Sequence, residues 1–77
     1  MKTLKEQRKK LGITQAVLAD RLCVHLQFIS NIERGVAGLP PRHFKQVSKI
    51  LRIPLKDLIE EYVQRTEKKL KKAFGLK

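Results

Sequence analysis

Apolar residues recur three and four positions apart along nearly the whole chain, and period-two alternation is absent, so the pattern predicts helices throughout. The first helix runs roughly from Leu4 to Leu11 and ends at Gly12, where a left-handed C-terminal residue fits. Thr14 caps a second helix, with Gln15, Ala16 and Val17 in its first turn and an apolar run of Val17, Leu18 and Leu22. The run breaks at Cys23-Val24 and resumes at Ile29 and Ile32 in a third helix, about His25 to Arg34, which stops at Gly35. After the apolar, uncharged loop Val36 to Pro40, Pro41 suits the first turn of a fourth helix, whose buried face is Phe44, Val47, Ile50 and Leu51. Pro54 breaks the chain again. A fifth helix begins at Leu55, with Leu58, Ile59, Tyr62, Thr66, Leu70 and Ala73 at helical spacing. Lysines dilute this stripe after Gln64, and the helix is expected to run about eighteen residues, or about 27 Å.

The second and third helices are short and hinged by a tight turn, and their apolar residues converge on one corner. The other face of the third helix, Gln27, Ser30, Asn31 and Arg34, is polar and points outward. A helix buried on one side that offers amides and a guanidinium on the other fits a DNA major groove.

Charge narrows the partners. The 77 residues carry a net charge of +11, and nine of those charges lie in residues 1 to 10 and 64 to 77. Such ends attract polyanions: nucleic acid, an anionic membrane surface or an acidic protein. A chain of this length has room for one small core. The single cysteine forms no internal disulfide, and no apolar run is long enough for a signal segment or membrane span, so the expected location is cytoplasmic. Cys23, His25 and His43 have no spacing that closes a zinc site, so neither metal nor cofactor is expected. No nucleophile, base and orienting group occur together, and the chain reads as a non-enzyme.

The order of Arg8, Gly12-Ile13, Thr14-Gln15, Leu18-Ala19, Leu22, Val24, Ile29-Ser30, Ile32-Glu33-Arg34-Gly35, Phe44, Val47, Leu51, Ile53 and Leu58 resembles the lambda-repressor-like family, the Cro and xenobiotic-response-element type of DNA-binding regulators. The resemblance covers roughly Leu4 to Leu58. It implies an all-α, compact five-helix domain whose third helix enters the major groove and which acts as a homodimer on palindromic operators. It implies base-reading positions at Leu26, Gln27, Phe28 and Asn31, and phosphate contacts from Gln15, Ser30, Arg34 and Arg42. Gln and Asn can pair adenine bidentately, and Leu26 and Phe28 offer contact to a thymine methyl, which favours an A·T-rich half-site. Arg8 and Glu33 match an ion pair that ties the first helix to the end of the third. The chain departs from the family at Cys23 and Arg52, where glycine is common, at His25, where Ser or Thr usually caps, and in the loop Val36 to Leu39, which lacks lysines.

These readings divide the chain into a helix-turn-helix domain, residues 1–61, and a basic helical extension, residues 62–77. Phe28 also fits the core at the edge of the corner. The extension reads as a solvated helix end, as a dimer-forming or DNA-contacting arm, or, last, as an amphipathic membrane binder. The function expected is a sequence-specific transcriptional regulator, a repressor acting as a homodimer. The alternatives are an antitoxin or coactivator-like adaptor with a protein partner, and a non-specific nucleoid-like coat.

Overall fold

The computed structural model describes residues 1–75, apart from the Lys2 side chain; Leu76 and Lys77, which the sequence assigns to the basic extension, lie outside the described residues. Among the described residues five α-helices follow one another: α1 (Lys2–Lys10), α2 (Gln15–Arg21), α3 (Leu26–Glu33), α4 (Phe44–Leu51) and α5 (Leu55–Ala73), with a 3-10 turn, Pro41–His43, leading into α4.

The ends of the first three helices share one backbone solution. The amide of Gly12 donates to the Lys9 carbonyl and that of Ile13 to Arg8, each at 3.0 Å. Cys23 and Val24 repeat the pattern onto Asp20 and Ala19, and Gly35 and Val36 repeat it onto Ile32 and Asn31. Each is a Schellman closure, which requires one left-handed residue. Gly12 (φ +70) and Gly35 (φ +79) supply it freely, whereas Cys23 adopts φ 55 with a side chain attached. Arg52 at the end of α4 does the same, again at φ 55. An L-residue there carries about 1 kcal/mol or more of strain. Thr14 starts α2 by accepting the Val17 amide on Oγ1 at 3.1 Å, while His25 precedes α3 without a side-chain cap.

The core unites all five helices through Leu4, Leu18, Ala19, Leu22, Ile29, Ile32, Leu39, Phe44, Val47, Leu51, Ile53 and Leu58. α2 and α3 pack most closely on each other. Val17 is exposed although it continues the apolar run of α2; the buried side of the helix is formed by Leu18 and Ala19, continued by Leu22. α5 departs further from its apolar pattern: of its nineteen residues only Leu58 is buried. Ile59, Tyr62, Val63, Leu70 and Phe74 are exposed. The helix runs without a break across residue 61, so its outer turns project from the body and help give a longest dimension of 40 Å.

Candidate nucleic-acid interface

The outer face of α3 follows from its inner one. Ile29, Ile32 and Glu33 are buried, and at 100° per residue this turns Gln27, Asn31 and Arg34 outward. Leu26 is half exposed, and Ser30 and Asn31 are part-buried. Three of these side chains are already joined. Gln27 Nε2 donates to Asn31 Oδ1 at 2.9 Å, and Arg34 Nη2 donates to the same oxygen at 2.7 Å. The face therefore presents a cross-linked set of amide and guanidinium groups about two helical turns long.

Behind it lies a buried polar brace. Arg8 Nε and Nη2 donate to the two carboxylate oxygens of Glu33 at 2.7 and 3.0 Å, and Arg8 Nη1 donates to the Ile13 carbonyl at 2.8 Å. The two side chains are only 9% and 2% exposed. Such a two-pronged pair orients more than it stabilises, because both charges have left water. Burial pushes the Glu33 carboxyl up, but hydrogen bonds from Arg8 and Gln15, with the charges of Arg8 and Lys5, outweigh it and hold the group below the ordinary carboxylate value. Gln15, the first residue of α2, donates from Nε2 to Glu33 Oε1 at 3.0 Å. Its amide, expected at a phosphate, is thus set by the brace that fixes α3.

Phe28 lies on the flank of α3, away from the outer face. It is part-buried against the core, with its ring edge-on to His43 at 5.7 Å between centroids. The core therefore holds the ring that the sequence also offers to a thymine methyl. His43 is buried; its Nε2 accepts from Arg42 Nε at 3.3 Å, and its Nδ1 has no partner among the described residues. Arg42 itself is exposed.

Two groups that sequence patterning does not single out meet the far end of α3. The Met1 ammonium donates to the Ile32 carbonyl and to the Glu33 carbonyl, the latter at 3.1 Å. Burial lowers its pKa, against the raising charge of Glu61. Arg65 of α5 reaches back to the Gly35 and Val36 carbonyls at 3.1 and 3.4 Å. The uncharged loop thereby gains a guanidinium from a residue thirty positions away. Gly38 leaves the space, since a Cβ there would lie 2.9 Å from Arg65 Cδ and Nε. No local pattern marks Arg65, which stands among the lysine-rich turns of a helix; the missing charge of the loop is the one sequence signal pointing to it.

Among the described residues no helix is long and apolar enough to cross a membrane. A family model described as helix-turn-helix matches residues 4–58. No curated protein and no solved structure matches the chain.

Proposed function

The chain belongs to the helix-turn-helix family, in its lambda-repressor-like, xenobiotic-response-element branch, and from that premise we propose that it represses transcription by seating two copies on a palindromic operator. A domain of this family is a DNA-binding regulator. The observation that carries the finer reading is the joined set Gln27, Asn31 and Arg34 on the outer face of α3. Side chains ordered before DNA arrives lose less freedom on binding, and a braced helix holds them in register with the base edges. Gln27 faces adenine, Leu26 offers a methyl contact, and Gln15, Ser30, Arg34 and Arg42 stand around the face for phosphates. Phe28 supports the helix from the core. Two copies seated on an operator repress by occluding the promoter it overlaps.

The second copy is assigned to the outer face of α5. Ile59, Val63, Thr66, Leu70 and Ala73 follow a four-three-four-three spacing, the seam of a two-helix coiled coil. The first turns carry Asp57, Glu60 and Glu61 against Lys56, while Arg65, Lys68, Lys69, Lys71 and Lys72 face only Glu67 further on. A parallel pair would set the cationic ends side by side. An antiparallel pair sets the acidic first turns beside the cationic end of the second copy and opposes the helix dipoles favourably.

Selection of bound duplexes from a random pool tests the function. An enriched palindrome with half-site centres about 34 Å, or ~10 bp, apart supports it. A protein-adaptor reading draws on exposed Leu26 and Val36, and it takes precedence if no sequence is enriched.

A further inference from the structure

The two hydrogen bonds on Asn31 have a chemical asymmetry. A guanidinium can only donate, so the Asn31 atom that Arg34 touches at 2.7 Å must be the carbonyl oxygen. That oxygen has two acceptor sites, and the Gln27 amide fills the second at 2.9 Å. Gln27 must then turn its nitrogen inward. Arg34 thus determines which end of each amide is which.

We propose that Arg34 is a specificity-determining residue: by occupying Asn31 Oδ1 together with Gln27, it leaves Asn31 with donors only and makes it a reader of guanine instead of adenine. The inference rests on the reading of α3 as the base-reading helix. Adenine recognition by a carboxamide needs one donor for N7 and one acceptor for the N6 amino group. Gln27 keeps both, because its Oε1 is not engaged by Asn31 and Nε2 has a second hydrogen. Asn31 keeps only its two Nδ2 hydrogens. The base edge matched to two donors is guanine, whose O6 and N7 both accept, and the edge most opposed is cytosine, whose N4 amino group donates. One half-site therefore contains an adenine opposite Gln27 and, one helical turn along α3, a guanine opposite Asn31. An arginine that only touched phosphate would leave no such mark on the base profile.

The test is a competition titration of the full chain against every single-base change in a selected half-site, repeated with Arg34→Ala, Arg34→Lys and Asn31→Asp. The wild type is expected to prefer guanine over adenine at the Asn31 pair by about tenfold, within the range of one good base contact. Arg34→Ala frees one acceptor site of the oxygen for an N6 amino group and moves that preference to adenine, while the Gln27 position stays adenine. Arg34→Lys retains a donor and keeps guanine. Asn31→Asp, which only accepts, moves the preference toward cytosine. Arg34→Ala lowering all affinities with an unchanged profile overturns the inference and leaves the base-reading role of α3 intact. So does a wild type that prefers adenine at the Asn31 pair. A wild type with a flat profile overturns that role as well.

Discussion

The eight residues of α3 are held from four directions, by Arg8 of α1, Gln15 of α2, the Met1 ammonium and, just past its end, Arg65 of α5. The nineteen residues of α5 bury one side chain, Leu58, and every residue from Tyr62 to Ala73 is exposed. Both helices are amphipathic, yet one has its apolar side matched within the chain and the other does not. An isolated helix of eight residues is too short to persist in water, so α3 depends on tertiary contacts for its existence and its direction. A longer helix anchored by its first turns tolerates an unmatched apolar side. That difference suits a rigid reading element beside a surface left for a second copy.

The sharpest way to break the comparison is to unbrace α3. Arg8→Ala leaves the Glu33 carboxylate buried without its partner and should cost about 3 to 5 kcal/mol, a large part of the 5 to 15 kcal/mol that holds a typical domain. Val63→Asp on the outer side of α5 should change the stability of one chain by no more than about 0.5 kcal/mol. Urea unfolding at low protein concentration measures both. A small Arg8→Ala effect would mean that packing alone orients α3.

The same pair has a pH signature. An unfolded Glu33 takes up its proton near the ordinary value of about 4.3, before the folded chain, whose carboxyl lies lower. The contribution is therefore complete above that ordinary value and is lost as pH falls through the depressed one. Unfolding free energies measured down this range should drop for the wild type and lose that part of the slope in Glu33→Gln.

On the outer faces the expected effects are smaller and of different kinds. Gln27→Ala should remove about 1 to 3 kcal/mol of discrimination at its own base pair of each half-site and, by vacating one acceptor site on Asn31 Oδ1, weaken the guanine preference at the Asn31 pair, with non-specific affinity nearly intact. Titration against single-base variants reads this directly. Val63→Asp should instead convert two-chain particles to single chains by sedimentation, in the absence of DNA. For orientation, disulfide cross-linking in a Cys23→Gly background should join Ile59→Cys to Ala73→Cys when the two are mixed, and neither to itself. Self-linking of Ile59→Cys would show a parallel pair.

Smaller still is the gain from the hinge between α2 and α3. Cys23→Gly should stabilise by about 1 kcal/mol, seen as a higher urea midpoint, because the left-handed conformation carries no Cβ strain in glycine. Ending the chain after Thr66 keeps Arg65 on the loop and removes the lysines beyond it. If those lysines meet phosphate, the slope of log K against log salt should fall by about 0.9 per lost contact, with base preference unchanged. An unchanged slope would return this end of α5 to the role of a solvated extension.

Much of the fold was legible because its punctuation is local. Thr14 capping α2, the left-handed glycines Gly12 and Gly35, and the apolar spacing inside each helix follow from the chemistry of a few neighbouring residues, whereas Cys23 and Arg52 were marked only by the family's glycines at those places. So did the outward placement of Gln27, Asn31 and Arg34, since 3.6 residues per turn converts the positions of Ile29 and Ile32 into a direction. Other choices depend on elements far apart in the chain. Whether Val17 meets a neighbour, whether Phe28 faces groove or core, and which lysine-rich turn yields the arginine that covers Gly35 are settled by how helices pack. Helical spacing says that α5 has an apolar side but not that the body of the domain leaves most of it uncovered. The donor and acceptor ends of Asn31 are also invisible in its name. A carboxamide is nearly symmetric in shape, and only the guanidinium placed beside it in space distinguishes oxygen from nitrogen.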